Sequence, residues 1–271
     1  MTDIEKKLEK HKTWLETNGK NGKRFTLKST DFTESDLSKT DSLFGVNLSK
    51  ANLFTANLSK AKIGRADLSK AEISRANLSE AELTGVNLTG SRLFGAELTR
   101  ANLTGAKLFG AGLFGANLTG ANLTGANLTG ANLTGANLTG VNLITANLFT
   151  ANLFTVNLTG ANLIGANLTG ANLTGANLTG AKLFGANLTG AKLFGANLTG
   201  ANLSEANLSG TILFRAIVQN TIFRFNLGVT EVLQQDLIER GAIFKDKTLA
   251  MPENQNMHLL SLVSDITAFD N

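Results

Sequence analysis

Apolar residues return every five positions along most of the chain. Leu or Ile stands at 48, 53, 58 and 63 and onward, with a small residue, usually Ala, two positions before each. The segment Ala116–Gly140 is ANLTG repeated without change. A period of five is neither the 3.6 of an amphipathic helix nor the alternation of a flat strand. Residues two apart on extended backbone share a face, so Ala51 and Leu53 belong to one side of the chain. Gly at the fifth position, as at Gly120, has access to positive φ and turns the corner before the next Ala. The pattern predicts short straight sides joined by turns, with Leu inside and Ala letting the walls approach.

Central apolar residues from Leu27 to Phe223 make about 40 such units, the mark of a short-period array that is stable only when its coils stack. One irregularity interrupts it. Leu27, Phe32 and Leu37 are evenly spaced, but the next centres are Leu43 and Leu48. The extra residue around Thr40–Ser42 predicts a bulge or corner adjustment in an early coil.

The flanks read differently. In Thr2–Glu16, the residues Ile4, Leu8, His11 and Leu15 share one helical face, Thr2 and Glu5 form a capping box, and Asn18-Gly19 stops the helix. At the other end Thr230 N-caps a helix through Arg240, with Gly241 as the stop and Leu233, Leu237 and Ile238 covering the last coil. Beyond Phe244 the composition changes, and Met257–Ile266 has the spacing of a short amphipathic helix, docked or recruited by a partner. The expected organisation is an N-terminal capping helix and turn over 1–24, repeats over 25–227, a C-terminal capping helix over 228–244 and a tail over 245–271.

Composition narrows the chemistry. With no Cys, disulfides and thiolate catalysis are excluded. The opening MTDIEKKLEKHK has no apolar core of a signal peptide, and no stretch reaches the length of a membrane span, so a cytoplasmic location is expected. The many N-L-T and N-L-S triplets are then by-products of the repeat rather than glycosylation sites. Net charge is +4 with both signs interspersed, which reads as solvated surface rather than a nucleic-acid stripe. The two histidines, His11 and His258, lie in opposite flanks, and Glu72 and Glu82 sit at outward positions. No metal, phosphate-loop or nucleophile motif occurs, and stacked Leu columns leave no cavity for a small-molecule substrate. The expectation is a protein with no catalytic residues, no cofactor and no metal.

The A-N-L-x-x units resemble the pentapeptide-repeat family, whose pattern is A-[N/D]-L-x-x, and the resemblance covers about three-quarters of the chain. The leader residues His11, Trp14, Leu15 and Gly19 are similar to those that precede the repeats in cyanobacterial members. The resemblance implies an all-β solenoid: a right-handed quadrilateral β-helix of four pentapeptides per coil with short α-helical caps at both ends. Residues twenty apart would then stack. Roughly ten coils at ~4.8 Å give a rod about 50 Å long.

On that stacking, the residue after each central Leu sorts by face. One column reads Phe54, Ser74, Phe94, Phe114, Thr134, Phe154, Thr174, Phe194 and Phe214, while the column a quarter-turn on carries Ser, Thr and finally Gln219. The asymmetry is not required by the fold. It predicts that Phe54, Phe94, Phe114, Phe154, Phe194 and Phe214 form the surface for an unknown protein partner or for self-association. The alternative is that these rings only shield the turns and pack against the next coil. The Asn before each Leu, such as Asn117, Asn137 and Asn157, is expected to form amide ladders along the axis.

Two other functions are weighed. Some members of the family resemble duplex DNA and bind type II topoisomerases such as gyrase, which needs a strongly acidic rod; here Phe25–Leu227 holds ten acidic and fifteen basic residues. Ice binding by registered Asn and Thr is chemically conceivable but ill-suited to a cytoplasmic chain. Binding of nucleic acid or membrane is not expected. The sequence reading is therefore a non-enzymatic scaffold that presents an extended surface.

Overall fold

The computed structural model describes residues 10–14, 16–17, 20–38 and 43–245. The chain returns on itself every twenty residues. Parallel bridges join Asn57 to Asn77, Asn77 to Glu97 and Glu97 to Asn117, and the same step recurs on each of four successive five-residue units. Each side is short, so most of this pairing consists of single bridges rather than long strands. Ile222–Phe223 and Ile243–Phe244 are the two-residue strands, paired in parallel.

The unit Ala116–Gly120 shows why these residues settle into this shape. The N–H of Leu118 donates to Asn137 O (2.7 Å), that of Asn117 to Ala96 O (2.9 Å) and that of Gly120 to Thr139 O (2.9 Å), so three bonds cross between coils. The N–H of Ala116 closes the preceding turn on Leu113 O (3.0 Å). The fifth N–H, on Thr119, donates to the side-chain Oδ1 of Asn117 at 3.2 Å. All five donors are satisfied, as a backbone held away from water requires.

Asn therefore acts first on its own turn, an Asx-type contact, and only then along the axis. Ladder bonds exist at Asn167 Nδ2 to Asn147 Oδ1 (3.1 Å) and Asn172 Nδ2 to Asn152 Oδ1 (3.2 Å), while Asn157 Nδ2 donates to Thr139 Oγ1 (3.0 Å). Asp31 plays the same part in the first coil. The hydroxyl and then the N–H of Thr33 donate to its carboxylate and hold its pKa below the usual value.

The corner residue at each fifth position lies in the left-handed region. Gly120 has φ +64°, but Lys50, Arg100, Thr150 and Glu205 adopt the same conformation with φ of +60°, +57°, +52° and +60°. The corner is thus set by the ladder on either side, with Gly favoured rather than required. Inside, Leu48, Leu118, Leu178 and their Ala neighbours are fully buried in one continuous core.

The extra residue near Thr40–Ser42 is visible in the register. Thr26, Asp31 and Asp36 pair with Asn47, Asn52 and Asn57, a step of twenty-one; later single bridges step by twenty, and the final strand pair, Ile222 with Ile243, steps by twenty-one again. Residues 39–42 themselves are outside the described set.

Residues 10–14 and 16 are helical and cover the first coil. His11 is buried. It accepts from the Phe25 N–H at Nδ1 (3.2 Å), which leaves Nε2 to donate to Phe44 O (2.7 Å), and it stacks on Trp14. Thr2, Ile4, Glu5, Leu8, Leu15, Asn18 and Gly19, invoked above for the helix and its caps, lie outside the described residues, as do Met257–Ile266 and the second histidine, His258.

At the far end Thr230 caps the helix Glu231–Glu239 by accepting from Leu233 N. Leu237 is fully buried and Leu233 packs against the core, but Ile238 is 43% exposed and does not cover the last coil. One residue on from Leu237 is about 100° around a helix, enough to turn the side chain outward. Arg240 completes the closure. Its Nη2 donates to the carbonyls of Leu213 and Ala216, and its Nη1 pairs with Asp236 at 2.6 Å. Among the described residues no helix is long and apolar enough to cross a membrane.

Candidate interaction surface

Bridges from Asn52 through Glu72, Arg92, Gly112, Asn132, Asn152, Asn172 and Lys192 to Ile212 run up one side, and two residues after each stands the Phe-rich column. The structure thus aligns Phe54, Phe94, Phe114, Phe154, Phe194 and Phe214. Each is at least 37% exposed, and Phe214 reaches 63%. They protrude from turns, because the position after the central Leu is where the chain leaves the side for the corner.

The rings are partly seated on their neighbours. Phe94 lies so close over Gly112 that a Cβ there would collide with the ring, and Phe44 lies similarly over Gly64. Phe194 and Phe214 approach at 5.8 Å with a tilt of 39°, and the Arg215 guanidinium stands 5.9 and 5.5 Å from their centroids. Packing and exposure therefore coexist. Between the rings the column dips: Ser74 is only 7% exposed, and its hydroxyl has no hydrogen-bond partner.

The column a quarter-turn on is polar and internally bonded. The hydroxyls of Thr119, Thr139, Thr159, Thr179 and Thr199 donate to the Asn two residues before them at 2.6–2.7 Å. The same pairing explains much of the Phe distribution. Lys107, Gly112, Lys182 and Lys192 carry no acceptor at the Asn position, and each is followed two residues later by Phe rather than Thr. A hydroxyl there would lack its local partner.

A second apolar region lies at the C-terminal end, where sequence reasoning placed no surface. Ile212, Ile217, Phe225, Leu227 and Val232 are 46–83% exposed. The signal was present: TILFR and AIVQN put Ile where Asn stands elsewhere.

Among the described residues no group of three or more His, Cys, Asp or Glu is placed to hold a metal ion. A shallow depression on the outer face of the C-terminal helix is lined by Glu231, Val232, Gln235, Asp236 and Glu239, with no nucleophile or base pair of the kind acyl or phosphoryl transfer needs.

Comparison with known proteins places the chain in clear company. The family profile described as "Pentapeptide repeats" matches residues 42–75, 71–110, 111–148, 151–190 and 191–224. HetL, a pentapeptide repeat protein involved in heterocyst differentiation regulation from the cyanobacterium Nostoc, is 34% identical over 78% of this chain and 94% of its own, with a TM-score of 0.29. A pentapeptide repeat protein of the Arabidopsis thaliana thylakoid lumen is 30% identical over 44% of this chain and 83% of its own, with a TM-score of 0.41. QnrB1, a plasmid-mediated fluoroquinolone resistance protein, is 17% identical over 89% of this chain and 96% of its own, with a TM-score of 0.31. No curated protein matches the chain.

Proposed function

This chain belongs to the pentapeptide-repeat family, and we propose that it is a non-enzymatic scaffold presenting the Phe54–Phe214 column to a protein partner. We read the coil as the family's right-handed quadrilateral β-helix, with residues 25–227 as its body, 1–24 and 228–244 as its caps, and 245–271 as a tail.

The observation that carries the reading is the row of six exposed Phe on one side of a rod whose next side is Ser and Thr. Apolar rings held in register by a rigid backbone lose little freedom on binding, which is what a contact surface needs. Local pairing does not account for Phe54 and Phe154, which follow Asn52 and Asn152, where Thr serves the same corner position throughout Ala116–Gly140.

The test replaces Phe114 and Phe154 together by Thr in the full chain. Loss of association, measured as molar mass in solution and as recovery of a partner by the tagged protein, supports the reading. Unchanged association in both measurements rejects it.

A further inference from the structure

We infer that the partner on this surface is a second copy of the chain, lying antiparallel against the first about a two-fold axis that passes between Thr134 and Phe154. The inference rests on the reading of the Phe column as an interface and adds its occupant and geometry.

The order of large and small residues is the first argument. Two rods laid face to face with the same polarity would set every Phe against itself and every gap against a gap. An antiparallel pair reverses the coil order and keeps the column on itself, as an isologous interface requires. With the axis between Thr134 and Phe154, each gap meets a ring. Ser74 faces Phe214, Thr134 faces Phe154, and Thr174 faces Phe114; only Phe94 and Phe194 meet as two rings. The deepest recess, at Ser74, receives Phe214, the most exposed ring of the column.

Charge supplies an independent argument. Between Lys107 and Lys182 the chain contains no Asp, Glu, Lys, Arg or His. The middle of that span falls on the same axis, so each copy's uncharged stretch covers the other's and no ion is desolvated over the central coils. Thr134, the gap nearest the axis, already has its hydroxyl bonded, donating to Asn132 Oδ1 at 2.7 Å and accepting from Asn152 Nδ2 at 2.9 Å. Covering it with Phe154 leaves no donor or acceptor stranded.

Area sets the strength. Eight facing coils at ~4.8 Å span about 38 Å, and a five-residue side is at most about 16 Å wide, giving about 1,200 Å² over both partners. That is the lower bound of a specific interface, so the dimer should be concentration-dependent. Arg92 of one copy faces Lys192 of the other, which gives the pairing an electrostatic handle; Arg92 is held by Glu72 at 3.3 Å.

Sedimentation velocity over a concentration series is the primary measurement, on the full chain. Reversible dimers are expected, lost in Phe154→Thr and strengthened in Lys192→Glu. Deleting residues 121–130, two identical units, keeps every Phe but turns Phe154, Phe194 and Phe214 half a coil away from Phe54, Phe94 and Phe114; it should also abolish the dimer. Deleting residues 121–140, a whole coil, controls for folding and leaves the column on one side. Because the chain has no Cys, spin labels on Ser79→Cys and Thr139→Cys report polarity: antiparallel packing sets the Ser79 labels much farther apart than the Thr139 labels, by up to about 30 Å along the rods. Equal separations, or a dimer indifferent to the 121–130 deletion, overturn the inference. So does a monomer at every concentration; if the Phe114 and Phe154 variant then still loses a different protein partner, the scaffold reading stands without this one.

Discussion

Phe94 rests its ring over Gly112, a residue that stands where the repeat most often has Asn. The absence of a side chain at 112 and the presence of a ring at 94 are one event, two coil faces adjusting to each other. Restoring the repeat by Gly112→Asn should therefore destabilise the chain, because the new Cβ displaces the ring. Phe94→Thr should relieve most of that cost. A double-mutant cycle in chemical denaturation is expected to give a coupling of about 1–2 kcal/mol; additive effects would disprove the contact.

Asn137 accepts from both the N–H and the hydroxyl of Thr139. Asn137→Ala should cost about 1 kcal/mol, the usual loss when a backbone donor at the edge of solvent loses its partner. Asn137→Asp keeps an acceptor and should cost less, as Asp67 shows by accepting from Ser69 N at 3.0 Å. Thermal unfolding of the two variants ranks them.

The corners can be tested by substitutions in opposite directions. Gly130 has φ +63° and open space around its missing Cβ, so Gly130→Ala meets backbone strain alone and should lose about 1 kcal/mol. Thr150→Gly removes the same strain at φ +52° but frees the unfolded chain and deletes the hydroxyl bond to Phe149 O. Its effect should be smaller than that of Gly130→Ala. The comparison of melting temperatures checks the pair.

Arg240→Ala should loosen the last coil without unfolding the stack. Ala216 O loses its donor, Leu213 O keeps only the Ala216 N–H at 3.0 Å, and Asp236 loses its ion pair. Amide exchange near Leu213–Val218 should accelerate by tenfold or more for a loss of about 1.4 kcal/mol, with exchange near Leu118 unchanged.

Much of this could be read before any coordinate was known. A strict period of five with Ala and Leu two apart identifies the sides, the corners and the interior, and the extra residue before Leu43 appears as the twenty-one-residue register of the first coil. What escaped depends on direction rather than spacing. Asn was read as a ladder residue, as Asn167 on Asn147 is, but that its Oδ1 also turns back on its own corner is decided only by the path of the backbone. Ile238 was read as covering the stack and points outward, because a single helical step separates it from buried Leu237. Positive φ at Lys50 or Thr150 leaves no trace in a residue type that rarely adopts it. The Phe column was legible as an order of letters; that Phe94 leans on Gly112 while remaining 42% exposed was not.

The guanidinium on Leu213 and Ala216 also bears on how the stack ends. A row of free carbonyls at the end of such a tube would be an invitation to the next chain, and identical units would let the tube extend without limit. By occupying Ala216 O, the acceptor a further coil would use, with a cation that offers no acceptor in return, Arg240 works against another chain adding to this corner of the stack.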